Sequence, residues 1–499
     1  MVVPHQGPPQ PDAATGGKRI CSERARPWIL TVAILVSALG FIDGTIVSIA
    51  MPAIRESLGA SLVQAQWVSN AYLLTLSALI LAAGAASDRF GLVRVLVVGV
   101  SVFVLASLVC AAAWSAELLI AARLVQGIGA ALMIPGSLAL IARSYPPETR
   151  GRAIGIWAAA SAITTALGPL LGGLLLTAAG AETWRLLFAV NIPLGALALW
   201  LLLTRTERDT PAEDAPIDVA GVVTAVAALF LVAWALTGQE SGSNAEGNAW
   251  LAGLFGLALF GVFILVEARS RHPMMPLGLF RTRIFSVANL VTFGIYFALS
   301  AVLFFLPMTI ISGWGRSEIE ASLVFVPLTI AIAVLSQPVG ALSDRIGPGW
   351  PIIAGAALVS LSFLGLAVAV PQTAFWSGVV PAMALMGIGM GFVVAPLSTA
   401  IMGSVGADKT GIASAINNAV ARIAGLVAVA AMGSFIAIRY SAAGGPAAFA
   451  AASAAGDAHL TAMNTAFRDV ALVVAVMSAA SAVITLATLR SGGQDTVAR

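Results

Sequence analysis

Fourteen runs of apolar residues, each bounded by charge, proline or glycine, constrain this chain more than any other feature. They fall near 28–51, 62–86, 93–113, 117–141, 151–178, 186–204 and 217–237, then near 250–268, 284–311, 318–341, 350–370, 374–402, 411–438 and 467–490. A helix of about 20 apolar residues crosses the hydrocarbon core of a bilayer. Composition fits that reading: 59% of the 499 residues are apolar and only 10% charged, with a mean hydropathy of +0.96. An ordinary soluble domain is about a quarter charged. Soluble enzymes, nucleic-acid binders and secreted disulfide domains are excluded as classes. The fold class is all-α and polytopic, because only helices and closed barrels satisfy the backbone in lipid and no alternating ten-residue pattern points to a barrel.

Residues 1–27 read as a polar, Pro- and Gly-rich disordered tail. The following run continues from Trp28 to Met51, too long for a removable signal. With the amino terminus inside, nineteen Lys and Arg fall on inner segments and five on outer ones, with Arg123 and Arg422 inside spans. That bias predicts a multi-pass protein of the inner (plasma) membrane with both termini cytoplasmic. Neither Cys21 nor Cys110 sits in a metal or redox spacing, and the net charge of +3 is scattered rather than patched.

An octapeptide recurs 256 residues apart: Gly84, Ala85, Ala86, Ser87, Asp88, Arg89, Phe90, Gly91 and Gly340, Ala341, Leu342, Ser343, Asp344, Arg345, Ile346, Gly347. Gln126 to Gly129 is echoed by Met386 to Gly389, and Met51–Pro52 by Leu306–Pro307. The chain therefore divides into a six-helix half at 28–204, a linker with two extra spans at 205–283, a second six-helix half at 284–490 and a tail at 491–499.

The pattern G-x-x-x-D-R-x-G after the second span resembles the signature of the major facilitator superfamily, and further motifs resemble its fourteen-helix drug/proton antiporter branch. These are Asp43, Thr45, Ile46, Val47, Ala50 and Pro52; Arg123, Gln126, Gly127 and Gly129; Gly168, Pro169, Gly172 and Gly173; Trp184, Arg185, Phe188, Asn191, Pro193 and Gly195; and His272, Pro273, Pro276, Leu279 and Phe280. Ser48 departs from the branch, which has Asn there, as do Leu92 and Val93, where it has a basic pair. The resemblance implies two six-helix halves plus two central helices, no enzymatic activity, and efflux of amphipathic drugs, cationic ones among them, exchanged for protons by a monomer. A lipid or natural-product exporter on the same fold and a non-transporting membrane sensor are the alternatives.

Asp43 is the sole carboxylate well inside a span, roughly 22 Å along a helix from Trp28. A charged acid there is costly, so the position favours proton binding; the alternative is a structural polar group satisfied by Thr45 or the backbone. Arg123, one turn from Gln126, is a buried cation that needs an acid or carbonyls beside it, and it is paired with Asp43 in the expected proton-coupling role. The repeat mates of Asp43 and Arg123 fall near Ala298 and Met383, so protonation belongs to the first half. Gln126, Asn417, Asn418 and Arg422 are candidates for the substrate cavity. Arg422 either lines that cavity or bonds to the twelfth span. Trp67 and Tyr72 either stack on a flat substrate or face neighbours. Gating is assigned to Gly84, Asp88, Arg89 and Gly91, to Gly340, Asp344, Arg345 and Gly347, and to the Gly168, Pro169, Gly172, Gly173 stretch. No nucleotide-binding loop or metal cluster is present in the sequence, so a proton gradient supplies the energy without a cofactor.

Overall fold

The computed structural model describes residues 25–207, 217–237, 243–406, 409–451 and 456–495. Most of the expected amino-terminal tail and the last four residues lie outside them, as do Arg208 and the other basic residues at those ends. Among the described residues there is no strand, and fourteen helices are long and apolar enough to cross a membrane. In the first half these are α1 (Arg26–Leu58), α2 (Leu62–Phe90), α3 (Leu92–Ala111), α4 (Ala116–Ser144), α5 (Thr149–Ala179) and α6 (Ala181–Arg205). An inserted pair follows, α7 (Val219–Thr237) and α8 (Ala249–Arg269). The remaining six are α9 (Arg283–Gly313), α10 (Glu318–Ile346), α11 (Gly349–Ala369), α12 (Phe375–Gly403), α13 (Thr410–Ala442) and α14 (Asp457–Thr488).

Helix ends outrun the apolar windows. α1 continues through Pro52 to Leu58, and α14 begins at Asp457, ten residues before its apolar run, because a helix extends past the hydrocarbon once its backbone bonds are made.

Local signals show the duplication. Gly59 and Gly315 both take left-handed φ angles, +60° and +63°, where α1 and α9 stop. Two residues later Ser61 and Ser317 each close a capping box, with Gln64 and Glu320 respectively, and start α2 and α10. Gly91 and Gly347 turn the chain at φ +93° and +83° between the next pairs. Close helix approaches repeat too. A Cβ on Gly127 would lie 2.4 Å from the Tyr72 carbonyl oxygen, and one on Gly387 would lie 2.5 Å from that of Leu328. Gly129 abuts the Phe103 backbone as Gly389 abuts that of Val359. These small residues let α4 lie on α2 and α3, and α12 on α10 and α11. In the same way α1 packs on α5 and α9 on α13, α3 on α6 and α11 on α14. The inserted α7 and α8 pack on each other, and α7 rests against α2 and α13.

The halves meet along α2 with α13, α5 with α10 and α1 with α9. We call the end that holds the start of α1 and the finish of α14 the tail end, and the opposite one the far end. At the far end, side-chain hydrogen bonds join the first six helices to the last six. Arg55 donates to the carbonyls of Phe449 (2.9 Å) and Ala450 (2.8 Å). Thr177 donates to Glu318 Oε2 (3.2 Å) and accepts from the Ile319 backbone N–H (3.0 Å). There Gly173 packs on the Glu318 carbonyl and Gly433 on the Gln66 side chain. One stripe of α13 runs from Gly433 to Gly425, which abuts Ser300 and Leu73, then to half-buried Arg422 and exposed Asn418. Along this stripe exposure rises toward the tail end, while the bonds that shut the halves together lie at the far end.

Candidate transport site

Five helices of the first half converge on one buried carboxylate. Asp43, 1% exposed, sits on α1 and accepts from Arg123 Nη1 of α4 through Oδ2 at 2.5 Å. Its Oδ1 accepts from Gln126 Nε2 (2.9 Å) and from Asn191 Nδ2 of α6 (3.3 Å). Both amides also donate to Ser107 Oγ of α3, at 2.8 and 3.3 Å. Arg123 donates further to Gln126 Oε1 (2.7 Å) and, through Nε, to the Val68 carbonyl of α2 (3.1 Å). Its guanidinium lies 4.2 Å from the centroid of the Tyr72 ring and 5.8 Å from that of Phe188.

Asp43 is therefore not isolated. The sequence alternatives for Arg123, an acid or a carbonyl, are both realised. Thr45 bonds the carbonyls of Phe41 and Ile42 rather than Asp43. Gln126 is fully buried within the network, and Tyr72, 2% exposed, lies beneath Arg123. Asn191 and Ser107 complete the network without having been singled out. Asn191 carried a signal, its place in the motif from Trp184 to Gly195; Ser107 carried none. Breaking a buried pair of this kind by removing one partner costs about 3–5 kcal/mol, since the remaining charge has no water to turn to. The corresponding positions of the second half, Ala298, Met383 and Met386, are apolar and fully buried, so at these positions only the first half is charged.

The α5 glycines link this network to the far end. A Cβ on Gly168 would fall 2.3 Å from Thr45 Oγ1, and one on Gly172 would fall 2.7 Å from Ile46 Cγ1, so α5 lies directly on the α1 turn that carries Asp43. Gly173, on the next position, packs across the halves with 2.6 Å between its notional Cβ and the Glu318 carbonyl oxygen. Pro169 lies buried among them inside α5.

The other candidates are distributed more widely. Asp88 pairs with Arg143 of α4 at 2.7 Å, both side chains being well exposed, a contact worth less than about 1 kcal/mol. Arg89 lies over Phe90, and Gly84 faces open space. Asp344 and Arg345 are exposed, and among the described residues neither makes an ion pair; the repeat mate of Arg143, 260 positions on, is Gly403. Gly340 packs loosely near Ala395. Trp67 stacks on Phe230 of the inserted α7, centroids 5.7 Å apart, which favours the neighbour reading for that residue. Asn417 donates to Thr292 (2.6 Å) and Asn289 (3.4 Å) of α9. On α13 Asn418 is exposed and Arg422, one turn on, is half-buried.

A duplicated six-helix unit of apolar helices, with an ion pair buried inside one of the two units, has the plan of a membrane transporter. The chain belongs to the Major Facilitator Superfamily, whose family model matches residues 33–429; as a member of a transporter family it is not an enzyme. It is 34% identical to the methylenomycin A resistance protein of Bacillus subtilis, over 81% of this chain and 87% of that protein. It is 32% identical to the tetracenomycin C resistance and export protein of Streptomyces glaucescens, over 83% of this chain and 77% of that one. Among solved structures, a bacterial homolog of the human lysosomal transporter Spinster, inward-facing and unoccupied, superposes with a TM-score of 0.65 at 19% identity, covering 95% of this chain and 99% of that chain. The D-xylose-proton symporter superposes with a TM-score of 0.62 at 17% identity, covering 90% and 96%.

Proposed function

We propose that the protein exports an amphipathic small molecule across the cell's inner membrane in exchange for protons. The observation that carries the reading is the buried Asp43–Arg123 pair, present in one half and replaced by Ala298 and Met383 in the other. Relatives named for drug resistance and export support the direction. The excess of Lys and Arg on the tail-end segments makes that end cytoplasmic, so the described conformation opens inward.

In the cycle, cargo enters the parted tail end while Asp43 is ionised and held by Arg123, Gln126 and Asn191. Once the far end opens, a proton added to the Asp43 carboxylate removes the countercharge of Arg123 and turns one oxygen from acceptor into donor. The network must then rearrange around α1. α5 is seated on that turn of α1 by Gly168 and Gly172, and its Gly173 makes the cross-half contact with Glu318, so α1 and the far-end closure move as one body. The halves rock about the cavity between them. A proton falling through 100 mV gains about 2.3 kcal/mol, and one pH unit adds about 1.4 kcal/mol. One-for-one exchange thus sustains a gradient of several hundredfold for a neutral solute.

A second reading has one observation in its favour. An apolar cavity of about 420 Å3 lies between α2, α7, α8 and α13, lined among others by Leu81, Leu229, Phe263 and Ile423. It suits an acyl chain, and hence a lipid or natural-product exporter.

A compound panel in proteoliposomes with an imposed pH gradient tests both. Gradient-driven accumulation of soluble amphiphiles, abolished by a proton ionophore, is expected. Movement of labelled phospholipid alone would favour the second reading, and no gradient-driven flux of either kind would remove both.

A further inference from the structure

Arg422 is the one charged side chain on the face of α13 that opens toward the tail end. It is half-buried, and among the described residues it makes no hydrogen bond or ion pair. Tyr72 of α2 shares a buried cluster with Ala419, one turn before Arg422 on α13, and Tyr296 lies on α9 between Thr292, which bonds Asn417, and Ser300, which abuts Gly425. The Tyr72 hydroxyl is buried and has no partner. One turn toward the far end Gly425 seals the seam against Ser300 and Leu73; one turn toward the tail end Asn418 is exposed. Arg422 therefore stands between the sealed seam at Gly425 and the exposed turn at Asn418.

The carboxylate that would balance it is engaged elsewhere. Asp43 is 1% exposed and neutralised by Arg123, and its oxygens accept from Arg123, Gln126 and Asn191, so it is closed to a cationic cargo in this conformation. A cation in a low-dielectric site without a countercharge is unfavourable, so the site attracts an anion. A guanidinium with hydroxyl donors beside it matches a carboxylate or sulfonate, which accepts paired hydrogen bonds.

We propose that Arg422, with the Tyr72 and Tyr296 hydroxyls and Asn418, forms the cargo site and that it takes amphipathic molecules bearing an acidic group. This deepens the export reading and rests on it for the direction of transport, and it reverses the cargo charge expected from a lone Asp43. Cargo and proton then occupy separate sites linked by the rocking of the halves. Exchange of a monoanion for a proton moves two charges, so membrane potential alone drives it, whereas monocation exchange is electroneutral.

The test is binding of two aromatic amphiphiles of opposite charge, tritiated 2-naphthoate and tritiated tetraphenylphosphonium, to the purified full chain at pH 7. Naphthoate affinity should fall about tenfold or more in Arg422→Gln and be largely kept in Arg422→Lys, with tetraphenylphosphonium affinity unchanged or improved in both. Gel-filtration profiles of the variants establish that they fold. Wild-type protein that does not bind naphthoate, or an Arg422→Gln variant that binds it as tightly as wild type or loses both ligands equally, overturns the assignment. If binding follows the expectation while no gradient or potential drives naphthoate through proteoliposomes, the export reading fails and the anion site stands.

Discussion

Replacing Asp43 by Asn is expected to reduce proton-driven transport to the level of empty vesicles while the protein still inserts. The amide cannot cycle between charged and neutral forms, so cargo flux loses its link to the gradient. Arg123 would be left buried without a countercharge, a loss of about 3–5 kcal/mol that a lowered melting temperature should register. The second half of the chain indicates the remedy. Its equivalent positions, Ala298 and Met383, are packed and fully buried without charge. The double variant Asp43→Ala, Arg123→Met should therefore recover most of the lost melting temperature, since a buried pair exchanged for apolar groups is often neutral or stabilising, yet remain uncoupled. Wild-type flux in Asp43→Asn would contradict the coupling role, and a double variant less stable than either single one would contradict the packing argument.

A β-branched residue at Gly173 should have the second largest effect, and on conformation rather than chemistry. Even a single Cβ would approach the Glu318 carbonyl oxygen to 2.6 Å and the Ser322 Cβ to 2.9 Å, and the former is backbone that cannot rotate away. Overpacking of this kind costs about 1–3 kcal/mol. In the proposed cycle α5 and α10 separate there when the far end opens, so the penalty falls on the tail-open state. A cost of about 2 kcal/mol shifts the two-state ratio about thirtyfold. Maleimide labelling of Asn418→Cys, on the exposed face of α13, should accordingly slow about tenfold or more in a Gly173→Val background. Unchanged labelling would show that this contact does not set the balance between states.

Much of the fold is legible because hydropathy in lipid is a strong signal. All fourteen spans can be found from apolar runs, and the octapeptide at Gly84 and Gly340 reveals the duplication. Helix ends are harder, as at Leu58 and Asp457, because a helix persists in the interface where apolarity no longer marks it. The paired caps at Ser61 and Ser317, on S-x-x-Q and S-x-x-E, were not among the sequence expectations, and they show the repeat in local physics rather than in identity.

The site was only partly legible. Rarity of charge in a span picks out Asp43, Arg123 and Arg422 without a structure. Their pairing depends on packing between residues 80 apart in the chain, and periodicity says nothing about which faces meet. Trp67 packs on Phe230 of the inserted α7, and among the described residues Asp344 makes no ion pair, Gly403 standing where the first half has Arg143. Repetition of a motif thus did not carry repetition of its contacts.

The most direct test is to count protons when cargo binds. Purified protein in weakly buffered detergent solution, given a compound that the gradient assay shows to be carried, should release about one proton per molecule bound at the pH of greatest response, and the Asp43→Asn variant should release none. Equal release from the variant would place the titrating group elsewhere and contradict the account.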